Sequence, residues 1–306
     1  LTLNANADVQ STTGHVTLLA AQHVTLSAAA EVITGGAGTL TLTATAGAVT
    51  MNVTSHLTAG AGDVRVAAAT DVVVGGLIST TANASLTATA GSILDADTDG
   101  SVDVIAARLR LVAGTGVGQL GAGVNPLETT VGTVSGRATG GGINLLESDG
   151  LTVGDTGATV QQVNADATVT PVTDATQSDL VTTAGNGGLV LRTATGSLTL
   201  DDGTAAADNV ALSAHGLGHV LVQALSNAGS VTLNADVRGG GGHITLEAGL
   251  HLLLAAAADA QARVPPYRPL ISSRSCTIRR QIPLRLFDSS VLNRRGSMKL
   301  SGSSPV

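Results

Sequence analysis

The chain has 306 residues, a mass of 30.0 kDa and a formal net charge of −7, with 39 Gly, no Trp and one residue each of Phe and Tyr. A compact enzyme core of this length normally contains large aromatic side chains, so this core would have to be filled by aliphatic residues alone. A mean hydropathy of +0.34 argues against disorder, and the longest apolar run, residues 250–258, is too short to cross a bilayer.

The amino-terminal sequence already belongs to a repeat. Residues 1–8 read Leu-Thr-Leu-Asn-Ala-Asn-Ala-Asp and resemble residues 231–236, which read Val-Thr-Leu-Asn-Ala-Asp. Residues 1–8 contain no initiator Met, no basic region and no apolar leader. We therefore expect the chain to be a fragment of a longer polypeptide.

Short apolar-Thr-apolar triplets and close variants recur through residues 1–262, and each predicts a β-strand because side chains two residues apart share a face. In the first third they begin, in two interleaved series, at residues 16, 40 and 64 and at residues 24, 49 and 72. Triplets recur at similar intervals between residues 189 and 246. The pattern predicts a unit of about 21–25 residues that carries two strands, which is typical of a solenoid.

The predicted fold is an all-β, right-handed parallel β-helix, because period-two patterning and β-branched residues exclude helical repeats. Stacked coils would leave a narrow interior for small and branched side chains such as Val16, Leu18, Leu40 and Leu42. Several glycines fall just before strands, where a corner can require a positive φ. They are Gly14, Gly38, Gly47, Gly62, Gly91, Gly196, Gly229 and Gly242.

An acidic segment after Ile93-Leu94 predicts a calcium loop. Its carboxylates alternate before a glycine, Gly100, as in loops that collect oxygen ligands for calcium. The candidate ligands are Asp95, Asp97, Asp99, the carbonyl of Ser101, and Asp103. The acidic residue expected at the twelfth position is replaced by Ala106, so an ordinary acidic turn remains the alternative interpretation. We expect no other cofactor.

The repeat pattern divides the chain into four segments. Residues 1–111 and 188–262 carry clear coils, whereas residues 112–187 are richer in Gly and Thr and predict coils with longer loops or a break between two blocks. Residues 263–306 hold eight Arg and one Lys against one Asp, after a body with six Arg and 21 acidic residues. This basic tail has no period, and we expect it to be irregular and disordered. It is either a binding arm or a frame-shifted, non-native sequence.

The Gly-x-Val-Thr-Leu units resemble those of large exported bacterial repeat proteins, the filamentous-haemagglutinin-like and autotransporter-like adhesins. Residues 111–118 (Leu-Val-Ala-Gly-Thr-Gly-Val-Gly) and 125–129 (Asn-Pro-Leu-Glu-Thr) also resemble their repeats. The resemblance covers residues 1–262 and implies a secreted or outer-surface β-helix in an adhesin or biofilm protein. The partners it implies are ligands on host or neighbouring cells, with polysaccharide among them.

The expected function is therefore non-enzymatic: an adhesive or structural segment of a surface protein that presents binding patches on a stiff rod. An acidic body does not suit nucleic acid or anionic membranes. Two alternatives stay open. One is a β-helical polysaccharide lyase or hydrolase that uses the paired carboxylates Asp201 and Asp202. The other is a structural spacer tightened by calcium.

The seven histidines follow a regular pattern, because all except His215 directly precede an apolar residue. This regularity predicts that they occupy solvent-facing corners. His215 and His219 flank Gly216-Leu217-Gly218, but no Glu or Cys joins them at ligand spacing, so a zinc site is not expected.

Overall fold

The computed structural model describes residues 1–262 and the backbone of strand Cys276–Arg280. These residues form thirty β-strands and no helix. None of them could therefore cross a bilayer as a long apolar helix. Apart from one hairpin, the strands pair in parallel from coil to coil, which confirms the predicted parallel β-helix.

The first part of the stack, residues 1–138, contains three columns of stacked strands, here called A, B and C in the order in which the chain visits them from residue 16. Their strands are, in chain order, β1 (Thr2–Leu3), β2 (Asp8–Ser11), β3 (Val16–Ala20), β4 (Val24–Leu26), β5 (Glu31–Thr34), β6 (Leu40–Ala44), β7 (Val49–Met51), β8 (His56–Ala59), β9 (Val64–Ala68), β10 (Val72–Val74), β11 (Leu77–Ser79), β12 (Asn83–Ala88), β13 (Ile93–Asp95), β14 (Val104–Ala113) and β15 (Leu127–Ala138).

Column A contains β3, β6, β9 and β12; column B contains β1, β4, β7, β10 and β13; and column C contains β2, β5, β8 and β11. The long strands β14 and β15 supply column C with their first halves and column A with their second halves. Val16 pairs with Leu40 and Leu40 with Val64, two steps of 24 residues, as the repeat predicted.

The remaining strands continue the stack. They are β16 (Ile143–Glu147), β17 (Leu151–Val153), β18 (Thr156–Val163), β19 (Val169–Gln177), β20 (Leu180–Thr182), β21 (Leu189–Thr193), β22 (Leu198–Leu200), β23 (Val210–Ser213), β24 (Val220–Ala224), β25 (Val231–Leu233), β26 (Asp236–Arg238), β27 (Ile244–Ala248), β28 (Leu252–Leu254), β29 (Ala260–Gln261) and β30 (Cys276–Arg280). The three stacks are β16-β21-β24-β27-β30, β17-β22-β25-β28 and β20-β23-β26-β29.

Apart from the coils in which β14 and β15 run through two columns, the coils of the described residues carry three strands, so the expectation of two was wrong. The third strand was missed because its pattern is weaker: β5 reads Glu-Val-Ile-Thr and has no apolar-Thr-apolar triplet, and the triplet of β8, Leu57-Thr58-Ala59, ends on a small residue. Only alternate side chains of these strands, such as Val32 and Leu57, are buried. The second inward position of each strand holds a polar or small residue, Thr34 or Ala59, so the alternation of large apolar residues is too weak to recognise.

Parallel pairing continues through residues 112–187. Val117 bridges Ile93 and Ile143, and β15 joins β14 to β16, β17 and β20. The register step from Gly136 to Leu180 is 44 residues because the chain leaves the stack to form the β18–β19 hairpin. Strand β30 lies inside the predicted irregular tail and pairs with β27; residues 263–275 and 281–306 lie outside the described residues.

The core is a continuous row of aliphatic side chains along the axis of the stack. Leu40 and Leu42 are fully buried, whereas Leu18, in the first coil, remains half-buried. No aromatic residue lies within residues 1–262, in keeping with an interior that admits only small and branched side chains.

Most glycines that precede strands are required by close backbone approach, so the predicted positive φ was the wrong explanation for them. Of the eight glycines named for these corners, only Gly196 has a positive φ, of 68°. A Cβ built on Gly62 would overlap the carbonyl oxygen of Gly38, and one built on Gly38 would overlap that of Gly14. Gly38 and Gly62 therefore allow each coil to rest on the previous coil.

Candidate functional site

Side chains at the corners cap the backbone of the next coil. The Nδ1 atoms of His23 and His219 accept hydrogen bonds from the backbone N–H groups of Ala48 and His243, at 3.1 and 2.9 Å. Asp71 Oδ1 accepts one from Ser92 N in the same way, at 2.7 Å. Backbone donors next to a strand are thus satisfied by the preceding coil.

The histidines face solvent, as predicted: all seven are exposed or half-buried, and none lies in the core. The rings of His219 and His243 stack with their centroids 5.2 Å apart. Within residues 1–262, no histidine belongs to a group of three side chains with metal-ligand spacing.

The acidic loop after β13 is the most unusual polar region. One carboxylate oxygen from each of Asp95, Asp103 and Glu128 lies within 4.8 Å of one from each of the other two. We call these three residues the acid cluster. Asp103 and Glu128 are only 5% and 6% exposed, whereas Asp95 is half-buried.

The register explains how the acid cluster forms. Asp95 lies at the end of β13 and pairs with Val74 of the preceding coil, so the two residues occupy the same row. Val104 pairs with Thr129, which places Asp103 beside Glu128, 25 residues and one coil later. Asp103 Oδ2 accepts a hydrogen bond from Glu128 N at 3.0 Å, so Asp103 also acts as a corner cap.

Asn125 fastens the acidic loop to the next coil. Its Nδ2 atom donates to Asp95 Oδ2 at 2.7 Å and to the carbonyl oxygen of Asp97. The loop itself is curled by side-chain to backbone bonds: Asp95 Oδ1 accepts from Asp97 N at 3.0 Å, and Asp97 Oδ1 accepts from Asp99 N at 3.1 Å.

The structure therefore brings together a different set of residues from the predicted calcium loop. Of its five candidate ligands, only Asp95 and Asp103 lie in the acid cluster. Asp99 and Ser101 are exposed and bond to each other, since Ser101 N donates to Asp99 Oδ1 at 2.7 Å. Glu128 was missed because it is distant in the chain. Counting one 25-residue coil forward from Asp103 would have identified it.

Burial dominates the electrostatics of the acid cluster. It raises the pKa of Asp103 to about 9 and that of Glu128 to about 7, because each carboxylate loses hydration and has negative neighbours. Burial also raises the pKa of Asp95. Within residues 1–262 the ion pairs are Arg65–Asp174 and Arg238–Asp236, so no basic side chain of that range pairs with the cluster.

A second buried acid, Glu147, has a different environment. It is fully buried, and its carboxylate accepts hydrogen bonds from Val131 N at 3.0 and 3.1 Å and from Thr129 Oγ1 at 2.6 Å. It lies at the end of β16 and pairs with Thr129 of β15. Its side chain therefore satisfies a backbone donor of β15. Burial raises the pKa of Glu147 to about 7.

We expect Glu147→Gln to change the pH dependence of stability. A carboxyl group whose folded pKa lies above its unfolded value of about 4.5 contributes stability below that pH, and this contribution is lost as pH rises to about 7. The wild type should therefore lose up to roughly 3 kcal/mol relative to the Gln variant between pH 4.5 and 7. Urea unfolding at both pH values checks this, and parallel pH profiles for the two proteins would contradict it.

The paired carboxylates considered for catalysis, Asp201 and Asp202, directly follow β22. Asp201 Oδ1 accepts from Asn234 Nδ2 at 2.7 Å, and Asp202 Oδ2 accepts from Asn209 N at 3.0 Å. Asp202 Oδ1 is buried without a hydrogen-bond partner. Both side chains are half-buried, and each is bound to a different later segment of the chain.

The β18–β19 hairpin lies across the outside of column A. The N–H groups of Thr159, Gln161 and Val163 donate to side chains of three successive coils. Their acceptors are Asp63 Oδ2, Thr39 Oγ1 and Thr17 Oγ1, at 2.7, 2.9 and 2.9 Å. The edge of β18 that does not pair with β19 is thus hydrogen-bonded to side chains of the stacked coils and is not left open.

An ion pair and an apolar contact hold the same hairpin. Arg65 Nε lies 3.1 Å from both carboxylate oxygens of Asp174 in β19. Val160 is fully buried on the inner face, whereas Val169 on the partner strand is 48% exposed. The hairpin therefore binds to coils that lie about 100 to 150 residues earlier in the chain.

Comparison of the chain with protein-family models, with curated proteins and with solved structures finds no match.

Proposed function

We propose that this chain is a non-enzymatic structural and adhesive segment of an exported bacterial surface protein, in which a rigid β-helix presents repeated polar rows to ligands on other cells. The observation that carries the proposal is the parallel ladder, which runs from β1 to β30 around one aliphatic core. Such a stack extends by adding coils, so its length and stiffness can increase without a new core.

The outer faces support the adhesive part of the proposal. Thr2, Thr25 and Thr50 are paired in register on column B, and Thr152, Thr199 and Thr232 form a second row. Coils are about 4.8 Å apart, so each row repeats one hydroxyl at that interval. Individually weak contacts to a repetitive ligand such as a polysaccharide would add by avidity. The resemblance to filamentous-haemagglutinin-like adhesins supports the same proposal.

The test is binding of beads coated with the purified chain to bacterial or host cells and to immobilised polysaccharides. We expect binding that is strong on dense beads and weak for the free chain. Lysine substitution of one threonine row at a time, at Thr25 and Thr50 or at Thr199 and Thr232, should weaken it when that row is the contact face. Binding no stronger than that of beads coated with an unrelated acidic protein would overturn the proposal.

The same purified chain is used to test the enzymatic alternative. Polysaccharide incubated with the chain should keep its length, as size-exclusion chromatography reports, because Asp201 and Asp202 are hydrogen-bonded to Asn234 and Asn209. Depolymerisation that disappears in Asp201→Asn would replace the structural proposal with the lyase or hydrolase.

A further inference from the structure

We propose that the acid cluster, Asp95, Asp103 and Glu128, is a calcium site that joins two successive coils of the rod. This inference is independent of the adhesive proposal, since a cation can stabilise the stack whatever its surface binds.

The spacing of the three oxygens suits one ion. Calcium binds oxygen ligands at about 2.4 Å, so two ligands on opposite sides of the ion are about 4.8 Å apart. The carboxylate oxygens of the cluster all lie within 4.8 Å of one another. They therefore fit within a single coordination sphere, and carboxylates are the hard ligands that calcium prefers to nitrogen or sulfur.

A separate observation points into the same space. Glu128 is more than nine-tenths buried, with an exposed fraction of 6%, and its Oε2 atom has no hydrogen-bond partner. An unpaired buried carboxylate oxygen is costly, because it has lost water and gained nothing in return. The carboxylate that carries this atom supplies one of the three clustered oxygens. A cation among them would satisfy it.

The residues around the acid cluster favour neutralisation of its charge by a bound cation over neutralisation by a basic side chain. Asp95 continues the row of Leu3, Leu26, Met51 and Val74, so an acid replaces the aliphatic residues of earlier coils. The ion pairs of residues 1–262 do not reach the cluster. Three clustered carboxylates must then be neutralised by bound protons or by a cation, and the nearby loop acids Asp97 and Asp99 add negative potential.

The proposed site differs from a linear calcium loop because one of its ligands comes from the next coil. Asp95 and Asp103 come from one coil and Glu128 from the following one. Asn125, bonded to Asp95, orients the loop without supplying an acid. Calcium bound there would hold the 96–102 loop and β15 together.

The experiment measures calcium binding to the full chain, stripped of metal with a chelator, by isothermal titration calorimetry with calcium chloride and by thermal unfolding. We expect one calcium per chain and a higher Tm in calcium. Glu128→Gln should lower the affinity at least about tenfold and remove the Tm shift, because it removes a charged ligand. Asp97→Asn is the matched control: it removes one charge from the same loop without removing a ligand and keeps the oxygen that accepts from Asp99 N. It should lower the calcium affinity much less than Glu128→Gln does and should keep the Tm shift.

Three results would overturn the proposal. The first is no calcium binding up to about 5 mM, above the range of weak extracellular calcium modules, which would show that protons neutralise the cluster. The second is loss of binding in Asp97→Asn with binding kept in Glu128→Gln, which would favour the linear loop. The third is tighter binding of magnesium than of calcium. If Glu128→Gln does not fold, Asp103→Asn takes its place in the same comparison.

Discussion

Gly62→Ala should lower the free energy of unfolding by about 3 kcal/mol, although it adds a single methyl group. The added Cβ would overlap the carbonyl oxygen of Gly38 in the preceding coil, and the atoms it meets are backbone atoms. A flexible side chain could move aside, but the backbone of a stacked coil moves only with its strands. Because the coils are coupled through their ladders, the displacement would strain β6 and β9 together.

Gly154→Ala is the matched control for that substitution. Gly154 is also buried, but the atoms nearest to the added methyl group would be side-chain carbons of Thr133 and Thr152, at 3.6 and 3.9 Å. That is ordinary van der Waals contact, so stability should change by less than about 1 kcal/mol. Urea unfolding followed by circular dichroism compares the two variants. Equal effects would show that backbone approach between coils does not explain the corner glycines.

Val160→Asp should detach the hairpin from column A and lower the free energy of unfolding by about 3 kcal/mol. Val160 is fully buried between the hairpin and the rod, and a carboxylate there would lose its hydration without a partner. Detachment would also expose the N–H groups of Thr159, Gln161 and Val163, which donate to three coils. Hydrogen exchange at these three amides should therefore accelerate more than exchange in the core strands.

Val169→Asp provides the comparison on the same hairpin. Val169 pairs with Val163 but is 48% exposed, so the same charge should cost less than about 0.5 kcal/mol there and leave amide exchange unchanged. Similar destabilisation by both substitutions would mean that the hairpin responds to charge in general. It would then not be held by the buried contact of Val160.

The fold could be predicted because the same local pattern recurs in coil after coil. Triplets such as Val16-Thr17-Leu18 and Leu40-Thr41-Leu42 mark strands, and their spacing of 24 residues is the register observed. The third strand of a coil could not be predicted in this way, since the inward positions of β5 and β8 include Thr34 and Ala59 instead of a second large aliphatic residue. The contact of the hairpin with column A was also missed, because its hydrogen-bond partners, Thr17, Thr39 and Asp63, lie about 100 to 150 residues earlier in the chain.

The candidate site was predicted in part. Asp95 and Asp103 were identified from a linear motif, but that motif assumes that ligands follow one another along one loop. In this fold the nearest neighbour of a residue is often one coil away. Glu128 therefore joins Asp103, whereas Asp97 and Asp99 stay outside the cluster.

The sequence alone determined that the protein is a stack of parallel strands with an aliphatic interior, because period-two patterning and the repeat length are local properties of one chain. Only the tertiary structure decided which side chains from different coils meet: the carboxylates of Asp103 and Glu128, the backbones of Gly38 and Gly62, and the hairpin on column A. Those contacts depend on register and loop length, and a shift of one residue would turn each side chain to the opposite face.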